Sequence, residues 1–408
     1  MKMCTRLASR SAGVMAAGAV VVLMSATTAR AQQSEPFKSV TFVTPTAAAS
    51  ESSATAAEPQ AAAAPGDPGY VTFFKSTELG GLADFYYLYN STKQNSLYRA
   101  FDISHNSFTL SMAEIWLNKA PTMDSQVGFK VKLNFGQAPR LMNFNEPNTD
   151  VLNVEEGFVS YMAKVGKGLQ IDVGKFVTNA GAEVIEAKDN WNYSRSLLFQ
   201  NAIPLYHAGV RANYAVNDQW NVMFGVVNGW NNVSDNNTGK SIMLSATYKP
   251  NMKLSLIENY IGGPEKAGTN EGWRHMSDTV VSYTVNDKTS VLGNFDYTAE
   301  KPLVGDSLHL WGIAGYVKYQ ATPVFAVVPR IEYLDDKAGS LIGTGVVQKL
   351  TDVTVTLEMK PVATDNFLFR LEYRGDFSDQ EAFVDDKGAP KKSQNSIIFG
   401  MLYSFSTK

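Results

Sequence analysis

The sequence predicts an all-β fold, a transmembrane antiparallel up-and-down β-barrel of about sixteen strands. Three observations predict it. Short runs alternate large apolar residues with small or polar ones, a period of two that marks a strand with one apolar face. Short turns alternate with long polar loops, as in a meander with one tight and one elaborate end. Tyrosine and tryptophan gather at the ends of the runs, where a ring can be half in lipid and half in water.

The first segment, 1–31, reads as a secretory signal. Lys2, Arg6 and Arg10 supply its positive start, Ala12 to Met24 its apolar core, and Ala29-Arg30-Ala31 a small-x-small cleavage site. Removing it leaves 377 of 408 residues and takes away Cys4, the one cysteine of the chain. Cys4 lies far from the cleavage site, which argues against a lipid anchor. An exported chain without disulfides must be held together in another way. The signal also removes four bases and no acid, leaving 32 Lys+Arg against 39 Asp+Glu, a net charge of −7. Nothing in that balance suggests a nucleic-acid partner. No remaining apolar run approaches the ~20 residues of a membrane helix, but barrels escape that measure because their apolar and polar residues alternate.

Residues 32–69 are rich in Ala, Ser, Thr, Pro and Glu and nearly free of aromatics. They read as a disordered leader in the periplasm. The barrel is expected over 70–408. Along it, Val127, Phe129, Val131, Leu133 and Phe135 oppose Gly128, Lys130, Lys132 and Asn134. Ala208, Val210, Ala212 and Tyr214 oppose Gly209, Arg211 and Asn213. Ile242, Leu244, Ala246 and Tyr248 oppose Met243, Ser245, Thr247 and Lys249, and Phe367, Phe369, Leu371 and Tyr373 oppose Leu368, Arg370, Glu372 and Arg374. The charges fall on one face of each run. A bilayer demands this, since a lipid-facing Lys or Arg at mid-membrane costs about 2–4 kcal/mol. A soluble sandwich also alternates, so the other two patterns matter. The last run, 397–405, places Ile397, Phe399, Met401, Tyr403 and Phe405 on one face, the usual ending of an outer-membrane barrel.

Short turns are expected at 164–168, 217–219, 250–251, 286–288, 321–323 and 363–366, with long loops at 137–150, 178–207, 229–239, 263–272, 300–307, 334–348 and 376–395. Tyr161, Tyr214, Trp220, Tyr248, Tyr283, Tyr319 and Tyr403 lie by the short turns or the chain end. Tyr89, Trp230, Tyr260, Tyr297, Tyr333 and Tyr373 lie by the long loops. Three segments read less clearly. The alternation slips near Ala113, as at a bulge; 308–319 and 252–261 are ambiguous in face; and Pro329 must sit where no ladder donor is needed.

At this point the chain resembles the bacterial outer-membrane porins of the β-barrel porin-2, OmpL-like, family, over about residues 80 to 405. The resemblance rests on Gly174-Lys175-Phe176, Asn192-Tyr193-Ser194-Arg195-Ser196, Asn228-Gly229-Trp230 with Asp235-Asn236-Asn237, Arg330-Ile331-Glu332-Tyr333 and Leu371-Glu372-Tyr373-Arg374, in that order and spacing. It implies a passive channel and no particular substrate. The tail Ser406-Thr407-Lys408 departs from the terminal aromatic of many barrels.

The residues give no reason to expect an enzyme, a metal or a cofactor. The four histidines, His105, His207, His275 and His309, are dispersed. The stretch 237–241 ends like a phosphate-binding loop, but Ser234 stands where its first glycine belongs and a strand should follow. Asp235-Asn236-Asn237 reads more simply as a solvated loop than as a calcium site. Function is expected in the lumen, which sixteen strands leave wide enough for water. Its wall should carry Lys130, Lys132, Arg211, Arg274, Arg330, Arg370 and Arg374 opposite Asp172, Asp278, Asp296, Glu332, Glu358 and Glu372. Facing rows of opposite charge favour small polar or charged solutes.

By analogy with general porins, the third long loop, 178–207, should fold inward as a constriction. About thirty residues reach across a lumen easily. Arg195 would then project into the eyelet near Lys175, or else tie the loop to the wall through Glu183 or Glu186. The expected function is passive diffusion of small hydrophilic solutes and ions across a bacterial outer membrane. The alternative is a closed barrel whose extracellular loops bind a partner or surface, with 178–207 as its plug. Expected partners are outer-membrane lipid, the solutes, the barrel-assembly machinery through the last strand, and copies of the chain, since comparable porins are often trimers.

Overall fold

The computed structural model describes residues 73, 75–142, 153–337, 339, 346–361 and 366–408. The signal 1–31 and the leader 32–69 lie outside the described residues, as do parts of the expected connections 137–150, 334–348 and 363–366. Sixteen strands form the barrel. They are β1 (Glu78–Asn90), β2 (Ser107–Lys119), β3 (Val127–Phe135), β4 (Asn153–Ala163), β5 (Leu169–Val177), β6 (Tyr206–Ala215), β7 (Trp220–Val227) and β8 (Ser241–Asn251). There follow β9 (Leu254–Pro264), β10 (Trp273–Asn286), β11 (Thr289–Glu300), β12 (Leu308–Thr322), β13 (Phe325–Asp336), β14 (Gln348–Met359) and β15 (Phe367–Ser378). A small hairpin, β16 (Phe383–Val384) with β17 (Pro390–Lys391), stands apart in the last long loop, and β18 (Ser393–Ser406) completes the wall.

Each barrel strand pairs antiparallel with its neighbours in the chain, and β1 closes on β18, from Gly80 opposite Ser406 to Asn90 opposite Ser396. Closure leaves no edge, so every ladder group finds a partner within a membrane that offers none. The period-two rows fall as expected. In β18, Ile397, Phe399, Tyr403 and Phe405 are exposed on the outside, while Ile398, Gly400 and Leu402 are buried toward the lumen. Aromatics mark both rims: Trp220 stacks on Tyr248 at 4.4 Å by the short turns, and Trp311 meets Tyr333 at 5.3 Å by the long loops.

The doubtful segments resolve with physical reasons. The slip in β2 is a bulge: Asp84 pairs with Met112 and Phe85 with Leu110, which leaves Ser111 as the extra residue. Pro329 faces outward, and in the β12–β13 ladder no pairing falls between Arg330–Tyr316 and Val327–Tyr319, so its missing N–H is not called for. In β12 and β9 the inward rows include Leu310, Ala314 and Tyr316, and Ile257 and Ile261. Both faces are therefore apolar, because something other than water covers the inner one. An acid breaks the apolar outer surface: Glu258 in mid-β9 faces lipid, its carboxylate accepting from the hydroxyls of Ser277 and Thr279, each at 2.6 Å.

Candidate functional site in the barrel lumen

The connection between β5 and β6 is what covers that inner face. It enters the lumen and runs through a 3-10 turn, Ala187–Asp189, and a one-turn helix, Leu197–Asn201. From Asn192 to His207 every residue is buried. Its apolar side chains explain the direction it takes. Val184, Leu197, Leu198 and Ile203 pack on Met223, Met243, Ile261, Met276, Leu310 and Leu334 of the wall, and Ile185 and Phe199 pack with Leu82, Phe101 and Met112. Burying one such side chain contributes about 1.5–3 kcal/mol. Two glycines of the wall make room: an added Cβ on Gly312 would stand 2.8 Å from Leu198, and on Gly400 2.4 Å from the Tyr193 ring.

An irregular backbone buried this deeply needs partners for its N–H and C=O groups. The wall's charged side chains supply them. Glu372 accepts from Tyr193 N at 2.7 Å and Ser194 N at 3.0 Å, and Glu332 accepts from Leu197 N at 2.7 Å. That last bond, with the Ser196 side chain accepting from Phe199 N at 3.0 Å, caps the short helix. Asp278 accepts from Gly181 N at 2.8 Å. In the opposite sense, Arg330 donates to Ser194 O at 2.6 Å, Arg370 to the carbonyls of Ala187, Asn190 and Asn192, and Arg374 to Arg195 O. Tyr193 Oη donates to Asp84 at 2.8 Å, and Asn192 Nδ2 to Thr356 Oγ1 at 2.7 Å. The stretch 192–196, prominent in the sequence, is thus the part of the plug held most densely.

The charged positions expected on the lumen wall divide into two sets. Arg330, Glu332, Arg370, Glu372, Arg374, Asp278 and Asp296 are buried beneath the segment. Lys132 is buried too: its ammonium lies among Glu114, Glu155 and Glu186, whose carboxylate oxygens come within 4.8 Å of one another. Lys130, Arg211 and Arg274 face the lumen and keep contact with water, paired with Glu156, Asp172 and Glu300 respectively. Glu358 bridges buried Arg370 and half-buried Lys318.

Two positions differ from expectation. Lys175 is three residues from inward-facing Asp172, so it shares the outward row of Val173 and Ile171, and its ammonium sits 4.1 Å above the Tyr206 ring. It is not a constriction residue. Arg195 neither reaches an eyelet nor ties the segment to the wall through a carboxylate. Its guanidinium is buried 4.9 Å from the Phe101 ring and donates to the segment's own carbonyls, Val184 O at 3.2 Å and Tyr193 O at 2.8 Å. The ties to the wall have the reverse polarity, since Glu183 on the segment binds Arg330 at 3.0 Å and Glu186 binds Lys132. Elsewhere, 237–241 leads into strand β8, and Asp235 pairs with Lys240.

Space remains around the segment. A cavity of about 410 Å³ lies between its 3-10 turn and the wall near Trp116, Lys318 and Lys360. Another of about 290 Å³ lies between Trp191 and the β8–β12 wall, and a third of about 190 Å³ adjoins Lys130, Asp172 and Arg211. At the other end, the connection 91–106 and the β16–β17 hairpin fold over the mouth. There Tyr98 meets Phe383 at 5.6 Å, and Arg99 bridges Asp102 and Asp376, each at 2.9 Å. Just outside β9, Glu265 accepts from Trp230 N at 2.7 Å and Ser241 Oγ at 2.6 Å, and burial pushes its carboxyl above the ordinary glutamate range.

The sequence matches, over residues 76–405, a family model described as "Putative beta-barrel porin-2, OmpL-like". No curated protein sequence matches it. Among solved structures, a trimer form of in-vitro folded OmpT, an outer-membrane protein of Vibrio cholerae, superposes with a TM-score of 0.56 at 14% identity, covering 81% of this chain and 99% of that one. An anion-selective porin from Comamonas acidovorans gives 0.56 at 13% identity, covering 81% and 99%. OprB of Pseudomonas putida gives 0.51 at 12% identity, covering 83% and 96%. At these identities the likeness is one of fold.

Proposed function

This chain belongs to the beta-barrel porin-2, OmpL-like, family, and on that premise we propose that it passes small hydrophilic solutes and ions passively across the outer membrane, through the space its inward segment leaves free. The observation that carries this reading is the set of cavities of about 410, 290 and 190 Å³ between the segment and the wall, the first beside the Lys318–Glu358 pair and the last beside Arg211–Asp172. Such a route admits ions and small polar molecules and resists apolar ones. Downhill flux needs no cofactor and no catalytic group. The leader 32–69 would lie in the periplasm, on the side of the short turns, with β18 as the strand read by the assembly machinery. A homotrimer is the assembly that the trimeric solved relative supports.

The unbroken buried run from Asn192 to His207 favours a second reading, a closed barrel whose extracellular surface binds a partner. Planar-bilayer recording on the refolded protein separates the two. Discrete conductance steps support the channel, and silence at all voltages supports the closed barrel.

A further inference from the structure

We infer that the route left by the inward segment selects anions, and that cations reaching out of buried ion pairs set this preference. The inference rests on the channel reading above and gives it a substrate class.

The charges buried under the segment are spent on its backbone and on one another, so a passing solute meets only those in contact with water. Among the described residues, five ion pairs on or beside the lumen wall share one polarity. Lys130 pairs with Glu156 and Arg211 with Asp172 on the β3–β6 wall, and Lys318 pairs with Glu358 across from them. Toward the long-loop end, Lys266 and Arg274 share Glu300. In all of these the cationic side chain is 14–25% exposed and the acid only 1–8%. The cause is geometric. A short carboxylate stays against the strand, while the longer Lys or Arg bridges to it and turns its remaining donors to water. Each pair is neutral overall but presents its positive end to the passage.

Exposed Lys249 and half-buried Lys360 add to the same sign at the edges of two cavities. One pair on the segment itself runs the other way: Lys188 is 17% exposed against 30% for Asp189. It is outnumbered. The acids that make the mature chain negative stand elsewhere, exposed in connections such as Asp124, Asp218, Glu271, Asp306 and Glu381. Confined between low-dielectric walls, like-signed ends add, and a small anion is concentrated where a cation is repelled.

The test is the reversal potential of the refolded full-length protein in a planar bilayer under a potassium chloride gradient. A chloride-over-potassium permeability ratio above one is expected. The double variant Lys130→Gln/Lys318→Gln should bring that ratio down toward one, with the heat-dependent gel shift of a closed barrel checking its fold. Channel steps with no preference, or with a preference for potassium, would overturn the inference and leave the channel reading standing. Silence of the wild-type protein would overturn both. A ratio unchanged in a folded double variant would remove the assignment to these pairs. Should that variant not fold, the wild-type ratio decides.

Discussion

Glu183 and Arg330 lie 3.0 Å apart inside the barrel, both buried, though 147 residues separate them in the chain. One belongs to the inward segment and the other to β13. Arg330 also contacts Glu332 at 2.8 Å and Asp352 at 3.2 Å, so it joins three acids, the last of them shared with Arg374. Removing one partner of a buried pair costs about 3–5 kcal/mol, because the other charge is left uncompensated. Arg330→Met should therefore lower the unfolding free energy of the vesicle-inserted protein by about that amount, measured in urea. It should also loosen the segment and raise single-channel conductance. A variant as stable as wild type would show that the pair does not anchor the segment.

A steric wedge tests the same anchorage without touching a charge. A Cβ at Gly400 would stand 2.4 Å from the Tyr193 ring, and the ring's own hydroxyl is held by Asp84. Gly400→Val should push Tyr193 off the wall, free the segment, and give larger and noisier conductance steps with the barrel intact. Wild-type conductance in a folded variant would mean that Tyr193 does not pack on β18.

Arg195 provides a contrast. Its guanidinium is buried and bonded to carbonyls of its own segment. Arg195→Met should leave the reversal potential where it was while costing about 1–3 kcal/mol for acceptors left unpaired. A shifted ion preference would place the guanidinium in the passage after all.

Glu258 is a carboxylate facing hydrocarbon, helped only by two hydroxyls. An acid there costs less than the ~2–4 kcal/mol of a basic residue but still costs something. Glu258→Leu should stabilise the barrel by up to about 2 kcal/mol, read from unfolding in lipid vesicles. A loss of stability would show that another surface meets this carboxylate in the membrane.

Acidity acts at Glu265, whose carboxyl burial pushes up. A folded-state value above the unfolded one means that the protonated form is preferred in the folded protein. Its contribution is present in full below the ordinary glutamate range and is lost as pH rises through the higher, folded value. Glu265→Gln should flatten that part of the stability-against-pH curve. A curve identical to wild type would assign the dependence to other groups.

Much of this was legible beforehand, for definite reasons. In β3, β8 and β15 the inner row is mostly small or polar and contrasts with the apolar outer row, and in β18 the outer row of Phe399, Tyr403 and Phe405 stands out by its rings, so period two was visible. In β9 and β12 the contrast vanished because Ile261, Leu310 and Tyr316 face the inward segment instead of water. The sequence signal for the plug was therefore present as a loss of alternation, though it read only as ambiguity. The face of Lys175 could have been counted from Asp172, three positions away. The destinations of Arg195, Glu183 and Glu186 could not, since they depend on how a thirty-residue connection lies across a cavity that other strands define. That the third long loop folds inward came from analogy. That wall charges would act as its backbone partners had no local signature, because the pairs join residues more than a hundred positions apart.

The seam between β1 and β18 imposes an order of events. Glu78 accepts a bond from Ser406 Oγ across 328 positions at 2.8 Å, and Leu79 N donates to Thr407 Oγ1 at 2.9 Å. The strand that emerges first from the ribosome must therefore wait for the one that emerges last. Until then its bonding edge stays open and sticky, a hazard for any nascent chain in transit. The closed wall therefore exists only once its last strand has arrived.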